Sequence, residues 1–153
     1  MDNDKAISCL NDLIETCRDG QTGFKEAAEN VKNPELKSFF NQISLERARF
    51  VGELQQEVLR LGGDPENTGS TAAAMHRVWM DIKGTFTGKD DESILSECER
   101  GEDSAVDAYE DALKDKSLPS DLRSVVERQF RSVKEAHDRV KQWRDAKGAT
   151  TGR

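Results

Sequence analysis

Residues 33–63, "NPELKSFFNQISLERARFVGELQQEVLRLGG", carry a helix start at one end and a helix stop at the other. Asn33 offers a side-chain oxygen to unpaired amides, Pro34 has a helix-ready φ where no N–H is needed, and Glu35 sets an acid in the first turn. Gly62-Gly63 follows the last turn, where a left-handed cap is wanted. Between these ends Leu36, Phe39, Phe40, Ile43, Phe50, Val51, Leu54, Val58 and Leu61 return at three- and four-residue steps. That period gives one long helix with a single apolar stripe, which must be buried against other helices.

Upstream, Ile7, Leu10, Leu13, Ile14, Cys17, Phe24, Ala27, Ala28 and Val31 repeat the same pattern behind Asn3, a candidate cap. Almost no loop separates this helix from the next, so the two form an antiparallel hairpin. Downstream, "GGDPENTGS" reads as a loop, and Thr71 to about Phe86 as a short helix carrying Met75, Val78, Trp79 and Ile82 on one side. Its length and extended flanks suit a connection that crosses a bundle. Asp90 or Asp91 opens a third helix to about Lys116. Pro119-Ser120-Asp121 opens a fourth, with Leu122, Val125, Val126, Phe130, Val133, Ala136, Val140 and Trp143, that ends near Gly148. The expected architecture is all-α: an up-down four-helix bundle of two antiparallel hairpins joined by a long crossover, a single domain over 1–148 with a disordered tail at 149–153.

Composition agrees with that class. Hydrophobic and charged residues each make up 35% of the 153, which suits helices with broad solvated faces. A net charge of -7 repels phosphate backbones, so nucleic acid is not an expected partner. No apolar run reaches bilayer length and no signal-peptide layout opens the chain, so no membrane association and a cytoplasmic location are expected. Three cysteines without a CxxC pair fit a reducing compartment.

One residue disturbs the third helix. Leu95, Cys98, Glu102, Ala105, Val106, Tyr109, Ala112 and Leu113 share a stripe, so a carboxylate stands in an apolar face. A shift of 85 residues lays Leu10 on Leu95, Cys17 on Glu102 and Phe24 on Tyr109, and a shift of 88 lays Ala48 on Ala136. A bundle of two related hairpins with one long crossover is the ferritin-like arrangement, whose di-iron site takes a Glu from two helices and a Glu-x-x-His pair from each of the others. The matching positions here hold Cys17, Glu46 with Arg49, Glu102, and Lys134 with His137. Half the ligands are missing, and Arg and Lys only donate. The expectation is a buried polar network of Glu46, Arg49, Glu102, Lys134 and His137, since an unpaired core carboxylate would be costly. Neither a cofactor nor a catalytic residue is expected. The alternative is a metal-binding or di-iron oxidase-like protein, with iron or another transition metal on Glu46, Glu102 and His137.

The remaining candidates have plainer readings. Cys17 and Cys98 lie on apolar stripes as small core residues, Cys9 sits beside its stripe, and His76 has no companion ligand at useful spacing. Thiol redox sensing through Cys17 would need a low-pKa, accessible thiol.

The motifs "LNDLIETCRDGQTGF", "HRVWMDIKGTFTG", "ECERGEDSAVDAYEDAL" and "VKEAHDRVKQWRD" resemble those of a bacterial family of small ferritin-like four-helix-bundle proteins catalogued as a domain of unknown function. The resemblance runs from about Ala6 to Asp145. It implies the fold and brings no established activity. The expected role is non-enzymatic, with a degenerate metal site, acting through a homo-oligomer or a protein partner in a stress-related setting.

Overall fold

The computed structural model describes residues 3–65, 86, 88–115 and 118–151. Among them are four helices and no strand: α1 (Asn3–Asn30), α2 (Pro34–Arg60), α3 (Asp91–Lys114) and α4 (Ser120–Thr151). The chain is an all-α four-helix bundle.

The ends of α2 follow from the residues that flank it. The Asn33 side-chain oxygen accepts from the amides of Glu35 at 2.9 Å and Leu36 at 3.3 Å. Gly62 takes φ +83, and the amides of Gly62 and Gly63 donate to Leu59 O and Val58 O at 3.0 and 2.9 Å, a Schellman closure. The two aspartates before α3 divide their work. Asp90 caps the helix by accepting from Ser93 N at 2.8 Å, while Asp91 accepts from Lys32 N and Asn33 N at 2.8 and 3.0 Å. Asp91 thereby ties the α1–α2 turn to the start of α3. At the other end of α3, Arg123 donates to Leu113 O and Asp115 O at 2.6 and 2.8 Å, covering carbonyls that have no helical partner.

α1 packs against α2 and α3, and α4 packs against α3 and more sparsely against α2, so α2 and α3 face each other across a diagonal. Arg60 at the end of α2 meets Asp121 at the start of α4, at the end of the bundle opposite Asp91. The end of α2 and the start of α3 therefore lie at opposite ends of the bundle. The short helix expected over Thr71 to Phe86 lies outside the described residues, except for Phe86, which is buried. α4 continues to Thr151, past the Gly148 where the sequence pattern ends it and through most of the expected tail.

The core has two parts. One joins Leu10, Leu13, Ile14 and Cys17 with Phe50, Leu54, Tyr109, Val126 and Val133. The other joins Phe24, Phe40, Ile43, Leu95, Cys98, Ala136 and Val140. On α1 the boundary falls between Cys17 and Phe24, on α2 between Ile43 and Phe50, and on α3 between Cys98 and Ala105. Gly20, Arg47 and Glu102 occupy these gaps, and all three are buried.

Gly20 is there because Arg47 is there: a Cβ at Gly20 would lie 2.9 Å from Arg47 Nη1. An alanine in a helix interior ordinarily gains about 1 kcal/mol over glycine. Gly20→Ala is expected to lose about 1–3 kcal/mol instead, because the guanidinium has no room to retreat. Urea denaturation in dilute solution checks this. Gly52→Ala, where a Cβ meets nothing within 4 Å, is the control and should gain.

Candidate functional site

Arg47 and Glu102 are each 0% exposed. Arg47 Nη1 donates to Glu102 Oε1 at 2.8 Å and Nη2 to Oε2 at 2.5 Å, a parallel fork that crosses the diagonal from α2 to α3. The cation is housed on every side. Its stem fills the space left by the missing side chain of Gly20, and its Cζ lies 5.7 Å from the centre of the Phe24 ring. Burial pulls the guanidinium's pKa down, but the Glu102 carboxylate more than reverses this and holds Arg47 above its ordinary value. Arg47 Nε finds no acceptor among the described residues.

A second polar line runs through the adjoining half of the core and touches all four helices. The Tyr109 hydroxyl donates to Gln129 Oε1 at 2.8 Å, which leaves its oxygen to accept from the Cys17 thiol 3.1 Å away. Gln129 Nε2 donates to Glu53 Oε1 at 3.1 Å. Glu53 also takes two bonds from Arg128, at 3.3 and 2.5 Å, where the line reaches the surface. Burial raises the Glu53 pKa, and the bonds from Arg128 and Gln129 outweigh it and bring the carboxyl below its usual range.

Cysteine chemistry is damped throughout. Burial pushes the Cys17 thiol up to about 11, against the opposing pull of Arg47 and Tyr109. Cys9 is also raised to about 11, by burial and then by Asp115 and Asp12, and burial raises Cys98 well above the ordinary thiol value. All three remain protonated at neutral pH, which is the opposite of what a redox sensor needs.

The candidate residues do not converge as their spacing implies. Glu102 is buried, but its partner is Arg47, and Arg49 is exposed. Lys134 is exposed too. Glu46 is half-buried and lines a groove between α2 and α4 with Ser132 and Arg139. His137 lies on the α3–α4 rim with its side chain 18% exposed, 2.6 Å from Asp103 and 3.1 Å from Asp138. The physical reason is rotation about the helix axis. Arg47 follows Ile43 by four residues and precedes Phe50 by three, so it stands on the inward stripe, whereas Arg49 lies two positions further round, on the far side of the helix. Gln129 fills the same kind of gap, between Val126 and Val133. An interrupted apolar stripe was the signal that would have found both.

A di-iron or single-ion site does not fit this set. Glu102 spends both oxygens on Arg47, His137 turns to Asp103, and among the described residues no three His, Cys, Asp or Glu side chains come together as an ion would need.

The sequence model of a family described as a domain of unknown function (DUF2383) matches residues 5–115, which span nearly all of α1 and the whole of α2 and α3. No curated protein matches the chain.

Two outcomes follow from the geometry. Glu102→Leu alone strands the Arg47 charge and should cost about 3–5 kcal/mol, while Arg47→Met combined with Glu102→Leu should recover most of that loss. Chemical denaturation of the two variants reads the difference, and a double variant no more stable than the single one would contradict it. At the rim, burial lowers the His137 pKa, but hydrogen bonds with Asp138 and Asp103, and the nearby Glu102 charge, outweigh it and hold the imidazole above its ordinary value. The sign is that of a raised group: its stabilising contribution is full below the unfolded pKa and fades as pH rises through the folded one. Asp103→Asn should therefore lower the His137 midpoint in an NMR titration. It should also cost more melting temperature near about pH 5.5 than near about pH 8.5.

Proposed function

The chain belongs to the DUF2383 family, and we propose that it is a non-enzymatic, ferritin-like helical module that works by association with a second copy or a protein partner. The observation that carries this reading is the Arg47 fork on Glu102. A guanidinium supplies, from within the chain, the positive charge that a dication would bring to a core carboxylate. It does so without an open coordination position at which chemistry could occur. Two hairpins whose ends demand a crossover support the ferritin-like placement. Protonated thiols and the absence, among the described residues, of a three-ligand metal cluster support a role without catalysis.

The same reading places the protein in the bacterial cytoplasm, in a stress-related setting that rests on analogy with the fold alone. Among the described residues no helix is long and apolar enough to cross a membrane, and the free state of Cys9, Cys17 and Cys98 suits a reducing compartment.

Iron loading tests the proposal. Protein exposed anaerobically to Fe(II) and then desalted is expected to keep well below one iron per chain, and neither Fe(II) nor Zn(II) should move its melting temperature. Stoichiometric iron that is lost in Glu102→Gln would overturn the reading and return Glu102 to a ligand set.

A further inference from the structure

Gly52 has no reason within its own chain. It lies in the interior of α2, where glycine costs about 1 kcal/mol against alanine, and a Cβ there would meet nothing within 4 Å. Its stripe is also where the protein leaves apolar side chains to solvent. Leu45 at 67% and Leu59 at 55% are the exposed large hydrophobics among the described residues, and each stands seven residues from Gly52, one before and one after. Two heptad steps put all three on one line along the outer face of a helix about 40 Å long. The line itself carries no acid, in a chain of net charge -7, and Glu46 and Glu53 stand beyond it, across the groove that Gly52 lines with Arg49 and Arg128. The acids of α2, Glu35, Glu46, Glu53 and Glu57, all project on the side toward α4, where Glu53 meets Arg128.

We propose that this face of α2 docks against the same face of a second copy, antiparallel, with the two-fold axis at Gly52. The inference rests on the association reading above and specifies its surface. An isologous contact requires a pattern that reads the same in both directions. About Gly52 it does: Leu45 of one copy lies over Leu59 of the other, and Leu59 over Leu45. The absent side chain at the centre lets the two backbones approach more closely than the usual 8–10 Å between helix axes. A shallow groove beside Leu45, lined by Ser38, Asn41 and Gln42, gives the incoming Leu59 a seat. Charge does not oppose this register, because the α2 acids of both copies point away from the seam, Glu53 toward Arg128 and Glu57 toward Arg60 of their own chain. A strip about 40 Å by 10 Å on each copy totals about 800 Å², below the roughly 1,000 Å² of a permanent interface, so the dimer should be one that exchanges with monomer on dilution.

Crosslinking tests the geometry. In a Cys9→Ser background, Gly52→Cys is expected to form a covalent dimer rapidly under mild oxidant, since copies of residue 52 meet at the axis. Leu45→Cys alone should not, because its two copies stand about 20 Å apart, yet a mixture of Leu45→Cys and Leu59→Cys chains should link. In parallel, sedimentation over a concentration series should show monomer–dimer exchange in the wild type. The Leu45→Glu/Leu59→Glu variant should be monomeric over the same range, with an unchanged melting temperature. A wild type that stays monomeric throughout overturns self-association as well as this surface. A wild type that associates regardless of the two glutamates, with Leu45→Cys linking as readily as Gly52→Cys, overturns this surface and leaves the association reading standing.

Discussion

Two opposite charges with no water around them, Arg47 and Glu102, set the terms for the rest of this bundle. Neither could be buried alone without a penalty of several kcal/mol, so each fixes where the other must be. The fork crosses the diagonal between α2 and α3, and it splits the core into two apolar halves that meet at a single charged layer. Gly20 yields space for the guanidinium, Phe24 faces it with a ring, and the apolar stripes of α2 and α3 each skip one turn to admit it. A slip of α2 against α3 by one turn would keep apolar groups facing apolar groups but would leave both charges unmatched. The layer therefore specifies register more than it adds stability, which matches the behaviour expected when a buried pair is compared with well-packed hydrophobic side chains.

The line from Cys17 through Tyr109 and Gln129 to Glu53 and Arg128 does a related job by neutral means. Each donor has an acceptor, so a tyrosine and a glutamine are carried in the core without stranded polar atoms on that line. The buried thiol at its inner end is held protonated by its surroundings. Together the two polar features tie each helix to one it does not follow directly in sequence, something apolar stripes do only loosely because they tolerate rotation and sliding.

Much of the fold was legible because it rests on local chemistry. The caps at Asn33 and Asp90, the glycine closure at Gly62-Gly63, and the three- and four-residue apolar steps act within a few residues of themselves, and each gave a helix where it was expected. The pairing inside the core was not legible in the same way, since it depends on which side of a helix faces inward to within a few tens of degrees. Matching residues to a Glu-x-x-His template selected Arg49, Lys134 and His137, whereas the helical period selects Arg47 and Gln129. His137 falls just outside the buried stripe, which is why it meets Asp103 at the rim and not Glu102. Asp91 shows the other limit: its role as a clasp on the α1–α2 turn involves residues almost sixty positions away, and nothing in its neighbours announces it.

The central claim is that a protein cation, held rigidly, occupies the middle of this core. NMR of the Arg47 guanidinium measures that directly. A buried bidentate fork should give separately resolved Nη protons, slow to rotate and protected from exchange with water, and saturating Zn(II) should leave them unmoved. A single averaged, rapidly exchanging signal, or one that collapses when Zn(II) is added, would contradict it.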